Sequence, residues 1–188
     1  NSKSEFVPKD AVSLNELLLG EGYQRNDMEG FNVFLNLMDD DIEATPYQTP
    51  SDGFDPNRFT ASFTWQPDMF EMMELANSGH TNVYQSYYEV ILGANAVIDY
   101  LSEVNDTEDN INKVKAQAYA LRGFYYFNLV NIFGMPYNYA PDSLGVPLKL
   151  HSAIEESDDY LVRKTVREVY TQILADLQGL NNTTANIT

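Results

Sequence analysis

The sequence predicts an all-α fold made of tetratricopeptide-like helical hairpins, an α-α superhelix with long irregular loops. Apolar residues recur every three or four positions in three long segments, which is typical of amphipathic helices. These segments are residues 84–103, 110–133 and 165–180. A short polar turn at 105–110 separates the first two. Helix, turn and antiparallel helix together form the repeating unit of such an array.

Three shorter helices are predicted before the long ones. Ser13 and Glu16 have the spacing of a capping box, in which two side chains satisfy unpaired amides at a helix start. Gly20 and Gly22 are expected to stop that helix. Residues 28–38 and 68–77 also carry apolar side chains at helical spacing, and each predicts a helix.

The segment between residues 39 and 67 breaks the helical pattern. Four prolines and a glycine interrupt it: Pro46, Pro50, Gly53, Pro56 and Pro67. Residues of these types favour turns and loops. We therefore expect a long loop with a short extended piece near 58–65. Long loops in compact domains are often functional.

The helix at 110–133 is apolar on two faces, so it is expected to pack between neighbouring helices. Gly123 allows one neighbour to approach closely. Arg122 lies among apolar residues, where a charge is costly unless it is paired. We expect it to be buried and bonded to a carbonyl or carboxylate, with Asn95 a satisfied polar group on a buried face. Four tyrosines at helical spacing are predicted to be core residues: Tyr84, Tyr87, Tyr119 and Tyr126.

The last long helix is predicted to begin with a second capping box, Thr165 to Glu168. Its apolar face includes Ile173, Leu177 and Leu180. We expect part of this face to be exposed.

The net charge of −17 limits the classes of partner. No Lys or Arg occurs between Arg58 and Lys113, and a field of this sign repels nucleic acid and anionic lipid. A neutral ligand or a partner with a basic patch fits better, although acidity can also simply maintain solubility. The absence of cysteine excludes disulfides and thiolate chemistry. No apolar run approaches the length needed to cross a bilayer.

The sequence offers little catalytic chemistry. Neither His80 nor His151 lies near a Ser or Asp partner at motif spacing, and no hydrolase, zinc-protease or P-loop motif occurs. We predict a protein that is not an enzyme and needs no cofactor. Paired glycosidase carboxylates remain an alternative, because their separation in space is invisible in a sequence.

An acidic run offers the one candidate metal site. Carboxylate oxygens suit Ca²⁺, and Asp39, Asp40, Asp41 and Glu43 could supply them. Their spacing is not that of an EF-hand loop. We favour a solvated acidic helix end, with no metal bound.

Three segments carry a resemblance to a known family. They read Tyr88-x-x-Ile91-x-x-Ala94-Asn95-x-Val97-Ile98, then Ala118-x-x-Leu121-Arg122-Gly123-Phe124-x-Tyr126-Phe127-x-Leu129-Val130-x-x-Phe133-Gly134-x-Pro136-Tyr137 with Gly145-Val-Pro-Leu148, then Thr165-Val-x-Glu168-Val-Tyr170-x-x-Ile173-x-x-Asp176-Leu177. Over about residues 80–180 the chain resembles the SusD/RagB family of outer-membrane nutrient-binding lipoproteins from Bacteroidetes. Gly123 is a departure, because the family more often has Ala there.

The resemblance implies a function that no single motif states. Residues 1–188 would be the N-terminal helical domain of a longer, non-catalytic protein on the outer membrane at the cell surface. That protein would capture oligosaccharide or another nutrient beside a SusC-type TonB-dependent transporter. It would meet the membrane only through a lipid anchor on an N-terminal cysteine, which this sequence lacks.

A glycan-binding protein needs exposed aromatic rings, because sugars stack on them. Trp65 and Tyr47 are the candidate ligand-binding residues, since they lie in or beside the long loop. The alternative for Trp65 is that it fills the core beneath the loop. The alternative for the whole chain is a helical-repeat adaptor that binds only protein, through a concave groove without an aromatic platform.

Overall fold

The computed structural model describes residues 6–24, 33–41, 43, 57–75, 82–153 and 161–184. The fold is mostly helical with one two-stranded sheet, as the sequence predicts. The helices are α1 Ala11–Leu17, α2 Val33–Leu37, α3 Asn57–Phe63, α4 Met69–Leu75, α5 Val83–Tyr100, α6 Glu108–Phe133 and α7 Val166–Thr184, with a π-helical segment at Leu18–Gly22. The strands are β1 Leu144–Pro147 and β2 Arg163–Thr165.

The chain divides into two compact units. Unit 1 comprises Asn1–Arg25 and Tyr87–Thr188, and unit 2 comprises Asn26–Ser86. Unit 1 therefore holds most of α5 and all of α6 and α7. Unit 2 holds the short helices α2, α3 and α4. Within the described ranges, no helix is long and apolar enough to cross a membrane.

The three long helices confirm the strongest sequence prediction. α6 begins after Thr107, whose side chain accepts a hydrogen bond from the Asn110 amide at 3.3 Å, and it ends where the Gly134 amide bonds Val130 O at 2.9 Å. The predicted capping box of α7 is also confirmed. The Thr165 amide donates to Glu168 Oε2 at 2.7 Å, and the Glu168 amide donates to Thr165 Oγ1 at 3.2 Å.

Pairs of contacting residues show that neighbouring helices in unit 1 run antiparallel. Along α5 and α6, Tyr87 meets Tyr125 with ring centres 6.2 Å apart, and Asn95 bonds Arg122. Residue numbers thus rise along one helix and fall along the other. A Cβ at Gly123 of α6 would lie 3.5 Å from Leu177 of α7. Gly123 therefore permits close packing, as predicted, and the space would still accept an alanine.

The N-cap of the first helix lies three residues before the predicted one. Asp10 is the N-cap: its Oδ1 accepts from the Ser13 amide at 2.8 Å, and Ser13 Oγ accepts from the Asp10 amide at 3.0 Å. The predicted box from Ser13 to Glu16 is wrong, because Ser13 already serves Asp10. The helix also continues past Leu17 as the π-helical segment, which ends at Gly22.

The π-helical segment packs backbone to backbone against α5. A Cβ at Gly93 would lie 2.0 Å from Glu21 O, so only glycine fits at this crossing. Tyr125 of α6 donates to Gly22 O at 2.9 Å. Leu14 and Leu18 are fully buried here in one apolar cluster with α5 and α6 side chains.

The predicted extended piece near 58–65 is wrong, because α3 occupies Asn57–Phe63. Phe59 and Phe63 are four residues apart, a helical spacing that the surrounding prolines obscured. The predicted helix at 28–38 is described only as Val33–Leu37. In unit 2, Phe34 packs edge-on against Phe70 of α4 with ring centres 5.2 Å apart.

The two strands were not predicted. They pair antiparallel, with Leu144 opposite Thr165 and Pro147 opposite Arg163. The Arg163 side chain reinforces the pairing: its Nε donates to Gly145 O at 2.6 Å, and its second nitrogen donates to Phe133 O at 3.2 Å. This arginine thereby ties the strands to the last carbonyls of α6, where a cation is favoured.

Two smaller predictions are only partly correct. Tyr87 and Tyr126 are buried and Tyr119 is half-buried, but Tyr84 is exposed, so its predicted core position is wrong. On α7, Leu177 is exposed as expected whereas Ile173 is buried. The side chain of Leu180 lies outside the described residues.

Candidate functional site

Trp65 lies in the turn that ends α3. The Gln66 amide donates to Ala61 O at 2.9 Å, and the Trp65 amide donates to Ser62 O at 3.0 Å. These two bonds define a Schellman motif, in which the residue at the position of Trp65 must adopt a left-handed backbone. Its φ is 55°. Glycine usually occupies this position, so the tryptophan is an unusual choice.

Trp65 is 66% exposed. Its side chain makes no hydrogen bond or ring contact with any residue that the structure describes. The alternative that Trp65 fills the core is therefore wrong. A left-handed tryptophan costs about 1 kcal/mol relative to glycine, and no hydrogen bond or ring contact with a described residue offsets that cost. Residues held in such a conformation are concentrated at functional sites.

The residues on either side of Trp65 are bonded to each other. Gln66 Nε2 donates to Thr64 O at 3.2 Å and to Thr64 Oγ1 at 3.3 Å. An exposed aromatic ring can stack on the apolar face of a ligand. Tyr47, the second candidate ligand-binding residue, lies outside the described residues.

The acidic run lies just after α2. The carboxylate oxygens of Asp39, Asp40 and Asp41 lie within 4.8 Å of one another, and all three residues are exposed. Glu43 is exposed and is not part of this group. Exposed carboxylates often cluster without an ion, so the arrangement is assigned no metal.

Arg122 is the centre of a buried hydrogen-bond network. It is only 5% exposed. Its Nε and one terminal nitrogen donate to the two oxygens of Asp176 at 2.8 and 2.6 Å. The other terminal nitrogen donates to Asn95 Oδ1 at 3.0 Å and to Leu150 O at 3.2 Å. Arg122 is thus buried and paired, as its sequence context predicts.

The network extends to the segment after β1. Asn95 Nδ2 donates to Lys149 O at 2.8 Å, and the Tyr126 hydroxyl donates to the same oxygen at 2.7 Å. We call this group the Arg122 node; its members are the side chains of Asn95, Arg122, Tyr126 and Asp176 and the backbone of Lys149 and Leu150. Burial alone would lower the pKa of Arg122, but the bonds and charge of Asp176 outweigh it and raise that pKa.

The node brings together all three segments of the family resemblance. Asn95 comes from the first, Arg122 and Tyr126 from the second, and Asp176 from the third. Asp176 is the member that sequence reasoning did not single out. The sequence contains an indication of this role, because Asp176 is an acidic residue on the apolar face of an amphipathic helix, three positions after Ile173.

The structure also brings together a Ser, a His and an Asp. Asp99 Oδ1 lies 3.0 Å from His151 Nδ1, and Asp99 Oδ2 accepts from Ser152 Oγ at 2.7 Å. A catalytic triad places the histidine between the other two residues. Here the His and the Ser both bond the carboxylate. These contacts attach residues 151–152 to the end of α5, a proximity that their sequence spacing did not reveal.

A family model described as "Starch-binding associating with outer membrane" matches residues 28–182. The chain belongs to the SusD-like family. SusD-like protein P2 of Formosa agariphila is 37% identical over 92 residues, which are 48% of this chain and 16% of that protein. At the family level, carbohydrate binding and association with the outer membrane are therefore established.

Solved SusD-like structures share the fold. A SusD-like carbohydrate binding protein from Bacteroides vulgatus superposes with a TM-score of 0.70 at 20% identity, over 94% of this chain and 36% of that one. A laminarin-binding SusD-like protein gives a TM-score of 0.63 at 24% identity, over 94% and 34%. The chain thus spans about a third of these proteins and about a sixth of the Formosa relative.

Proposed function

We propose that this chain is a non-catalytic carbohydrate-binding segment in which Trp65 stacks on a sugar ring. The exposed indole on a left-handed turn carries the proposal. A sugar-stacking site needs an aromatic ring with an accessible face, and Trp65 provides one. Family membership supports a saccharide ligand, and the acidic charge is compatible with a neutral one.

The proposal includes the cellular setting that the family implies. Residues 1–188 form the N-terminal helical domain of a surface-exposed outer-membrane lipoprotein. That protein captures oligosaccharide or a related nutrient for a SusC-type TonB-dependent transporter. In this proposal the helices of unit 1 act as scaffold, and exposed aromatic rings and hydrogen-bonding groups bind the sugar.

Trp65 fluorescence tests the proposal directly, because this chain has one tryptophan. Iodide should quench it readily, and maltoheptaose or laminarihexaose should shield it from quenching. A single stacking ring gives weak binding, so we expect a dissociation constant of about 1 mM, near −4 kcal/mol. Calorimetry at high ligand concentration provides an independent measurement.

Matched variants separate stacking from general effects on the fold. Trp65→Ala should clearly reduce the calorimetric signal, whereas Trp65→Tyr should retain most of it because an aromatic plane remains. Met72→Ala is the control, since Met72 is an exposed apolar residue on α4 of the same unit. Unchanged binding by Trp65→Ala, or no protection of Trp65 by either sugar, contradicts the proposal.

One observation favours the alternative of a protein-binding adaptor. The outer surface of α6 and α7 exposes four large apolar residues: Phe124, Phe127, Leu174 and Leu177. Exposed apolar surface of this kind often marks an interface with protein. The adaptor alternative makes two requirements. The chain should bind neither sugar, and the double variant Phe127→Ser, Leu174→Ser should bind a purified protein partner more weakly than the wild type.

A further inference from the structure

The connection between α6 and β1 is a rigid turn. The amides of Tyr139 and Ala140 both donate to Pro136 O, at 2.9 and 3.0 Å. Its far side is fixed to α7 by a bond of 2.8 Å from the Arg167 amide to Pro141 O. The backbone of this turn is therefore held by hydrogen bonds before any ligand arrives.

An aromatic ring stands out from this turn. Tyr139 is 79% exposed, and its side chain makes no hydrogen bond or ring contact within the part of the chain that the structure describes. Its neighbour Tyr137 is different: the Tyr170 ring lies 4.9 Å from it and the Arg167 guanidinium lies 6.0 Å from its centre. Tyr137 thus supports the turn, while the faces of Tyr139 remain open.

A bonded pair of polar groups joins this turn to α7. Arg167 Nε donates to Asp142 Oδ1 at 2.8 Å, and a terminal nitrogen donates to Oδ2 at 3.3 Å. Both side chains remain largely exposed. A guanidinium has five N–H groups, and these bonds use two, so three remain for a ligand. The carboxylate likewise keeps accepting capacity.

These features restrict the chemistry of an occupant. Arg167 and Asp142 neutralise each other, so the turn favours neither an anion nor a cation. Covering them with an apolar helix would strip water from two charged groups at high cost. A saccharide suits both parts of the surface, because it has an apolar C–H face for the ring and adjacent hydroxyls for paired donors and acceptors.

We propose that this turn is a second saccharide-binding surface, in which the Tyr139 ring stacks on a sugar and Arg167 and Asp142 bond its hydroxyls. The proposal rests on the proposed function in that it takes a sugar as ligand. It uses different residues, and these belong to unit 1 whereas Trp65 belongs to unit 2. The two surfaces can therefore be tested separately.

The experiment is a titration of the full ¹⁵N-labelled chain with maltoheptaose and laminarihexaose, followed by NMR. Either sugar should shift the amide signals of residues 137–142 and the Nε–H signal of Arg167. The same shifts should persist in Trp65→Ala. Tyr139→Ala should weaken binding at this turn by about tenfold, the equivalent of 1.4 kcal/mol, and Tyr139→Phe should restore it. Phe124→Ala, an exposed aromatic change elsewhere in unit 1, should have no effect.

The outcomes separate this inference from the proposed function. If Trp65→Ala abolishes the shifts at the turn, or Tyr139→Ala leaves them unchanged, the second surface is wrong while Trp65 binding stands. If the NMR signals of residues 137–142 shift but Trp65 fluorescence does not change, the second surface stands and the stacking role of Trp65 fails. If neither surface responds to either sugar, both proposals are overturned.

Discussion

The Arg122 node and the Trp65 turn accommodate a costly side chain in opposite ways. In the node a buried guanidinium bonds a carboxylate, an amide and a carbonyl, so its charge is fully compensated. At the turn, Trp65 has a left-handed backbone and its side chain makes no hydrogen bond or ring contact with a described residue. The first arrangement stabilises the scaffold, and the second leaves an aromatic ring accessible to a ligand.

This difference explains why the family is easy to recognise and the ligand is not. The sequence motifs that carry the resemblance contain all four side chains of the node, so they report on the scaffold. The residues proposed to meet a ligand lie in turns outside the node. Mutations in the node should therefore change stability, and mutations of the exposed aromatic residues should change sugar binding.

The largest effect on stability should come from breaking the node. Arg122→Ala leaves Asp176 buried without its partner, and we expect the free energy of unfolding to fall by about 3–5 kcal/mol. Urea denaturation followed by circular dichroism measures it. Arg167→Ala is the control because its pair with Asp142 is exposed, so it should change stability little. Similar losses from both arginines would contradict the distinction.

Two glycines in unit 1 should respond to replacement by alanine with opposite changes in stability. Gly93→Ala places a Cβ against the Glu21 backbone, and forcing the helix and the π-helical segment apart should cost about 3 kcal/mol. Gly123→Ala meets only ordinary contacts and should gain about 1 kcal/mol from the higher helix propensity of alanine. Thermal unfolding of the two variants should therefore shift in opposite directions.

Trp65→Gly should separate stability from binding at the turn itself. Glycine adopts the left-handed conformation without strain, so the variant should be about 1 kcal/mol more stable. The same change should remove the sugar binding that depends on Trp65 and so reduce the calorimetric signal. Denaturation and calorimetry on one sample measure both. A less stable Trp65→Gly would mean that the indole has a packing role, and the comparison with the node would fail.

The smallest effect should come from acid titration of Asp99. Burial would raise the pKa of its carboxyl, but bonds from Ser152 and His151 outweigh it and lower the pKa from its ordinary value. A lowered folded-state pKa stabilises the fold above the unfolded value of about 3.9, and that contribution is lost as pH falls through the folded pKa. Solvent screening limits it to about 0.3 kcal/mol.

Asp99→Asn isolates this contribution. The variant should be slightly less stable at pH 7, and the difference from the wild type should shrink as the pH falls below the unfolded pKa of about 3.9 and disappear once the pH is below the lowered folded pKa. Glu103→Gln, an exposed change near the same helix end, is the control. A difference that is the same at pH 3 and pH 7 would exclude the carboxylate charge as its origin.

Long amphipathic helices were the predictable part of this fold. α5, α6 and α7 each repeat apolar residues over several turns, so the pattern outweighs local exceptions. The short elements were less predictable. α3 lies among prolines that indicated a loop, and Asp10 rather than Ser13 caps α1 because both sequences satisfy the same spacing rule. The two-stranded sheet pairs residues that are 16 to 21 positions apart, which no local pattern reveals.

The candidate site was predictable in identity but not in geometry. A lone tryptophan beside a long loop is a reasonable candidate, but its left-handed backbone depends on how α3 ends. Tyr139 was not singled out, since nothing in the residues around Pro136 distinguishes an open ring from a packed one. Its exposure follows from the turn, and the turn follows from bonds to α7 that lie far away in sequence.

The Arg122 node also determines the order in which this chain can mature. Its guanidinium and the carboxylate of Asp176 are 54 residues apart. At ribosomal rates of about 5–20 residues per second, Arg122 is synthesised roughly 3–11 s before this carboxylate. Until α7 is made, the guanidinium lacks the charge partner that compensates it in the folded chain. The node is thus completed only after translation has passed Asp176.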